Sequence, residues 1–157
     1  MRDHQLSILV ICLGNICRSP TAEAVLRAKL DAAGLAGQVV VDSAGTGDWH
    51  IGHPPDVRSQ RHAAQRGYDL SALRARRVAE EDFRQFDLIL AMDEDNLADL
   101  QRLAPDQGAR AELRLFAHVE VPDPYQGGPA AFERVIDLVE AASDVWVENL
   151  ARRLGTS

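Results

Sequence analysis

Ser7-Ile8-Leu9-Val10-Ile11 runs directly into Cys12-Leu13-Gly14-Asn15-Ile16-Cys17-Arg18-Ser19-Pro20. The first stretch is short, almost wholly apolar and rich in β-branched residues, and it ends at a glycine-bearing turn, which suits a strand buried on both faces. Ser19 as an N-cap and Pro20 at the first helical position then open a helix, in which Ala22, Val25, Leu26 and Leu30 recur at helical spacing. Gly34 is expected to end it. A strand that feeds a helix through a short loop is the opening unit of an α/β fold.

The alternation continues outward from this unit. Val39-Val40-Val41 predicts a second strand, followed by the turn-rich Asp42-Ser43-Ala44-Gly45-Thr46-Gly47, and Pro54-Pro55 opens a second helix that closes at Gly67. Phe86 to Met92 predicts a third strand, Glu94 to Leu103 a helix with Leu97, Leu100 and Leu103 on one side, and Leu113 to Phe116 a fourth strand. After Pro122-Asp123-Pro124 a last helix begins near Pro129, with Phe132, Ile136, Val139, Val145, Val147 and Leu150 as its core-facing stripe. Strands alternating with helices imply a parallel sheet covered on both faces, with ligands bound at the carboxyl ends of the strands. The Cys12–Pro20 loop stands at such an end.

At 157 residues and 46% hydrophobic, the chain is expected to form one compact domain spanning 1–157, with no linker to divide it. Its net charge of -7 argues against a general nucleic-acid binder, so any phosphate binding must be local. No apolar run approaches the roughly 20 residues of a membrane span, and the N-terminal MRDHQLS carries charge where a secretory signal needs an apolar segment. A soluble, cytoplasmic protein is expected. The only cysteines, Cys12 and Cys17, lie too close in sequence to staple distant parts of a secreted fold, and point to chemistry instead.

That chemistry follows from spacing. Five residues separate Cys12 from Arg18, and the loop is delivered onto a helix N-terminus. A loop of this length can curl so that successive backbone N–H groups point inward; with the positive end of the helix dipole they make an anion-binding concavity. Gly14 and Asn15 are the residue types that best tolerate the positive φ such a curl demands. The same field favours a thiolate at a cysteine placed there. Arg18 offers a planar fork of donors able to grip two phosphate oxygens at once.

With these residues the sequence resembles the low-molecular-weight protein tyrosine phosphatases, whose signature is a near-N-terminal CLGNICRSP-type loop and a distant Asp-Pro-Tyr. The likeness covers nearly the whole chain in five ordered segments: the loop itself, Asp42–Thr46, Gly52–Asp56, Met92–Leu97 and Asp123-Pro124-Tyr125. It implies a four-stranded parallel sheet flanked by helices on both faces, no metal or organic cofactor, and a phosphotyrosine-containing protein as substrate. It further implies that Cys12 attacks phosphorus in line to form a cysteinyl-phosphate. Asp123 would protonate the leaving phenolate and later take a proton from the hydrolytic water. Ser19 corresponds to the family's hydroxyl donor to the nucleophile, and Asn15 and Ser43 to the partners that hold the loop's shape. Leu13 and Ile16 would line the floor of the cleft, the loop from Leu13 through Gly14 to Cys17 would cradle the phosphate, and Trp49 and Tyr125 would sandwich the substrate ring. Two departures stand out. Leu73 occupies a place where the family often has a histidine supporting the loop, and Gln126 follows Tyr125 where many members carry a second tyrosine.

Other signals point elsewhere or nowhere. His50 and His53, without a third ligand nearby, fall short of a zinc site. Arg74, Arg76 and Arg77 are expected to form a solvated face. Gly45-Thr46-Gly47 lacks the rest of a dinucleotide fingerprint. Cys17 beside a reactive Cys12 is a resolving arrangement, which predicts redox sensitivity. Arsenate reduction on the same fold would need further cysteines to relay a disulfide, and none follows Cys17. Related arginine phosphatases place Thr at the position of Ile16, and a catalytically inactive phosphopeptide-binding module is an alternative of another class.

Overall fold

The computed structural model describes residues 5–154. The expected span of 1–157 and the N-terminal charge therefore reach beyond the described residues at both ends. Nine elements follow one another: β1 (Leu6–Cys12), α1 (Arg18–Ala32), β2 (Val39–Gly45), α2 (Val57–Gln65), α3 (Glu80–Gln85), β3 (Leu88–Ala91), α4 (Glu94–Leu103), β4 (Glu112–Leu115) and α5 (Pro129–Leu154). The four strands form one parallel sheet in the order β2-β1-β3-β4.

β1 is central, and all seven of its residues are buried. Its side chains alternate between two apolar clusters, as the period of two along a strand requires. Leu6, Ile8 and Val10 pack with Val25, Leu26 and Leu30 of α1 and with Val135 and Val139 of α5. Leu9 and Ile11 pack on the opposite face with Phe83 of α3 and Leu100 of α4. The apolar run at the start of the chain is thus a strand sandwiched between helix layers. The chain leaves β1 toward β2 on one side and later returns to β3 on the other, so the carboxyl end of β1 is the point where a parallel sheet opens a crevice.

The structure alters several expectations. Ser19 does not cap α1: the helix starts two residues earlier, its N-cap is Cys17 with no side-chain cap, and Ser19 is fully buried. β2 runs on through Asp42-Ser43-Ala44 to Gly45 because the whole of it pairs in register with β1, from Leu6 opposite Val39 to Cys12 opposite Gly45. α3 lies where no helix was expected; six residues are too few to show a helical period. Val145 is 45% exposed, and α5 turns Val135 and Ala142 to the core in its place. Gly14 does not have a positive φ; that conformation belongs to Asn15 alone among the described non-glycine residues, at φ 56. Gly14 instead gives room, because a Cβ there would lie 3.0 Å from the His50 ring and the ring would have to shift by a few tenths of an ångström. No helix among the described residues is long and apolar enough to cross a membrane.

Candidate active site

The loop from Cys12 to Ser19 is tied down on every side. The Thr46 N–H donates to the Cys12 carbonyl (3.0 Å) and that of Gly47 to the Leu13 carbonyl (2.9 Å), which lashes the loop to the end of β2. Gly45 permits this approach, since a Cβ there would meet the Leu13 carbonyl at 2.7 Å. The Asp56 N–H donates to the Ile16 carbonyl (2.8 Å), and the Thr21 hydroxyl to that of Cys17 (2.7 Å). With the carbonyls engaged outward, the N–H groups of Leu13, Gly14, Ile16 and Cys17 meet no protein acceptor among the described residues. They gather at the N-terminus of the 15-residue α1, where the helix dipole adds to their positive ends.

Behind the loop runs a buried chain of hydrogen bonds whose direction can be read. The Arg76 backbone N–H donates to Asn15 Oδ1 (3.0 Å), which fixes the orientation of the Asn15 amide. Asn15 Nδ2 then donates to Ser19 Oγ (2.7 Å) and to Ser43 Oγ (3.1 Å). Each hydroxyl, already accepting, has its proton to give onward. Ser19 turns it toward Cys12 Sγ at 3.0 Å, and Ser43 donates to Glu23 Oε1 at 2.7 Å. The Asn15 N–H also reaches the sulfur, at 3.3 Å. Two donors thus face the Cys12 sulfur.

Glu23 anchors the far end of the chain. It is 2% exposed, and burial raises its pKa above the usual carboxylate value, against the opposing pull of the Ser43 hydroxyl and of Arg27. Loop support at the Leu73 departure comes from the backbone: Arg76 offers its N–H to Asn15 whatever side chain stands at position 73. Arg76 is also not the solvated residue expected, since its guanidinium pairs with Asp82 (3.0 Å) and Asp42 (3.1 Å). The arginine-rich stretch at 74–77 hid this, because one partner lies six positions on and the other thirty-four positions back, and no spacing marks either as a partner.

A cleft of about 200 Å³ opens above the loop, lined by Cys12, Leu13, Gly14, Ile16, Cys17, Arg18, Trp49, Asp123 and Tyr125. Asn15, Ser19 and Ser43 stand behind it. Arg18 is 3% exposed; its Nη1 donates to Asp93 Oδ2 (2.6 Å) and to the Val121 carbonyl (2.9 Å), and its Nη2 lies 3.9 Å from Asp123 Oδ2. Burial opposes its charge, but the sulfur of Cys12 and the carboxylates of Asp93 and Asp123 outweigh that and raise its pKa above the ordinary guanidinium value. Trp49 stands at the rim, 66% exposed, its ring laid against Gly47, where a Cβ would come within 2.0 Å of it. Tyr125 is fixed by Arg58, which donates to its carbonyl (3.0 Å) and holds its guanidinium 5.4 Å from the ring centroid.

The expected site residues thus come together, and the structure adds four that sequence reasoning missed. His50 and Gln126 line the cleft, although His50 drew attention only as a metal ligand. Asp93 orients Arg18 and caps α4 by accepting from the Asn96 N–H (2.7 Å). Its position just past the third strand was a usable signal, since ligands gather at that edge of the sheet. Arg58 had no such signal.

The model of the low molecular weight phosphotyrosine protein phosphatase family matches residues 7–155. The chain belongs to this family. A low molecular weight protein-tyrosine-phosphatase of Streptomyces coelicolor is 43% identical over 145 residues, covering 87% of this chain and 88% of its own. Among solved structures, the protein tyrosine phosphatase of Entamoeba histolytica superposes with a TM-score of 0.86 at 37% identity, covering 96% of this chain and 99% of its own. Vibrio vulnificus Wzb, solved in complex with benzylphosphonate, gives 0.81 at 30% identity over 92% and 98%.

Proposed function

We propose that the chain is a protein tyrosine phosphatase that hydrolyses phosphotyrosine through a cysteinyl-phosphate on Cys12, with Arg18 as phosphate clamp and Asp123 as general acid and base. The observation that carries this reading is the curled loop. Its free N–H groups converge beside a sulfur that already accepts from Ser19 and Asn15. A dianionic phosphoryl group seated there meets the helix dipole, the N–H cradle and a guanidinium preset by Asp93, the donors that stabilise charge as it spreads over phosphoryl oxygens. The Cys12 sulfur attacks phosphorus as the bond to the phenolic oxygen breaks, and Asp123 gives that oxygen its proton. Water, losing a proton to Asp123, then releases phosphate and restores the sulfur. The apolar Ile16 and the aromatic Trp49 and Tyr125 favour a flat aryl ester, and the benzylphosphonate in the Vibrio vulnificus relative is a ligand of that shape.

Kinetics on matched peptides test the reading. Phosphotyrosine peptides are expected to turn over at least tenfold faster than phosphoserine or phosphoarginine peptides, and Ile16→Thr to narrow the gap. Faster hydrolysis of phosphoarginine would make the chain an arginine phosphatase; no turnover on any ester, p-nitrophenyl phosphate included, would make it a binding module.

Redox control through Cys17 belongs to the same proposal, at a speed its burial sets. Peroxide converts the Cys12 sulfur to a sulfenic acid, and attack by the Cys17 sulfur expels water to leave a disulfide. Both thiols are free and buried. Burial among Ile16, Ala75 and Phe132 pushes the Cys17 thiol up to about 12, only partly offset by a hydrogen bond with Ser59. The attacking thiolate is thus scarce at neutral pH, and its fraction grows about tenfold for each pH unit below that value. Disulfide formation after a peroxide pulse is expected to quicken about tenfold from roughly pH 6.5 to 7.5, read by mass spectrometry of the peptide holding both cysteines. A disulfide that never forms would leave Cys17 as packing.

A further inference from the structure

A groove of about 740 Å³ lies away from the cleft and shares no lining residue with it. One wall is the segment from Arg114 at the sheet's β4 edge to Val119; the other is α5. Leu138, Ala142, Val145, Trp146, Asn149 and Arg153 recur along α5 at intervals of three and four, so one helix face borders the groove for about 22 Å at 1.5 Å per residue. Phe116, Leu138 and Trp146 make its floor apolar, and Val119 and Val145 stand at its rim 55% and 45% exposed.

The charge of the groove runs against that of the protein. The chain carries 24 acidic residues against 17 Lys and Arg, yet no carboxylate lines this surface; the ionisable groups there are Arg114, His118 and Arg153. Nearby Arg110 and Arg152 are paired, to Asp87 and Glu148. Arg114 and Arg153 have no carboxylate partner among the described residues, and the Arg114 guanidinium rests 5.2 Å from the Trp146 ring centroid. The Arg114 guanidinium lies at Trp146 and α5 carries Arg153 two turns further on, so the unpaired positive charge begins at Trp146 and continues past it, while Leu138, Ala142 and Val145 line the stretch before it.

We propose that this groove is a binding site for a long-chain amphipathic carboxylate of the fatty-acid type, with its acyl chain along Phe116, Leu138, Val145 and Trp146 and its carboxylate at the Arg114–Arg153 end. The volume falls within the roughly 300–1,000 Å³ of small-molecule clefts, and a wall that follows α5 from Leu138 to Arg153 suits an extended chain better than a compact ligand. Two exposed guanidinium groups without a carboxylate partner, set beside apolar surface, favour an anionic head group, which selects an acid over an alcohol or an amine.

The test titrates the full chain with tetradecanoate below its micellar concentration, by calorimetry and by NMR of the two indole N–H groups. Trp146 Nε1 donates to the Phe116 carbonyl (2.8 Å) beside the groove, while Trp49 stands at the cleft and serves as control. Expected are one saturable site, a shift of the Trp146 signal alone, and no competition from inorganic phosphate. Dodecanoate should bind about tenfold more weakly, as loss of two buried methylenes predicts, and tetradecylamine at least tenfold more weakly. Arg114→Gln with Arg153→Gln should cost about tenfold in affinity for the acid and little for tetradecanol, and Val145→Trp should block both. All variants should keep wild-type turnover of p-nitrophenyl phosphate, which also reports that they fold. Equal binding of acid and amine, a shift at Trp49 instead of Trp146, or uptake that never saturates would overturn the proposal. So would binding to anionic vesicles without binding of the monomeric acid, or self-association that Val145→Glu abolishes.

Discussion

Cys12→Ser is expected to lower turnover of aryl phosphates by about a million-fold, the scale on which loss of a covalent nucleophile is felt, while phosphate and vanadate still bind. The two halves of the prediction have separate origins. Binding belongs to the N–H groups of Leu13, Gly14, Ile16 and Cys17, to the dipole of α1 and to Arg18, none of which depends on the sulfur. Attack, in the proposed mechanism, belongs to Cys12 alone, and a serine hydroxyl in the same place is far harder to ionise. The smaller oxygen can still accept from Ser19 and from the Asn15 N–H, so the loop keeps its curl. Vanadate affinity by calorimetry and single-turnover kinetics with p-nitrophenyl phosphate check both halves. Turnover near wild type would end the covalent mechanism; loss of vanadate binding would show that the sulfur holds the cradle open.

How far such a site can be read in advance depends on where its information lies. Cys12, Arg18 and the loop between them were legible because strand, loop and helix are contiguous, and local sequence sets the curl that their chemistry needs. Asn15 was found for the right reason, its tolerance of positive φ, but Gly14 has no positive φ, and its close neighbour is the His50 ring, which arrives from thirty-six residues away. Ser19 shows how tertiary context overrides propensity. It has the chemistry of an N-cap, yet Asn15 engages its oxygen and aims its proton at Cys12, so the helix begins without a side-chain cap. Val145 fitted the core stripe of α5 by spacing, but it looks into the groove, while Ala142 and Leu150 on either side of it reach the core. Asp93 and Arg58 act through partners 75 and 67 positions distant, and no periodicity in the chain records such pairings.

Asp123→Asn is expected to slow hydrolysis of phosphotyrosine by about 10²–10⁴-fold and of p-nitrophenyl phosphate by much less. The geometry makes this a clean exchange. Asp123 Oδ1 accepts from the Tyr125 N–H at 3.0 Å, an acceptor that an asparagine oxygen reproduces, and Arg58 independently holds the Tyr125 carbonyl, so the loop should keep its place. What the substitution removes is the second carboxyl oxygen, 3.9 Å from Arg18 Nη2 and at the mouth of the cleft. In the proposed mechanism that oxygen gives its proton to the phenolic leaving group. Tyrosine leaves as a basic phenolate that needs a proton in the transition state, whereas nitrophenolate is stable enough to depart without one. The ratio of the two losses therefore separates roles that a single rate cannot. A large gap between substrates, with vanadate affinity unchanged, assigns proton transfer to Asp123. Equal losses on both substrates would instead make it a residue that holds the loop and attracts the Arg18 guanidinium, and the proton would have to come from another group at the cleft, where His50 is the nearest titratable side chain against Gly14.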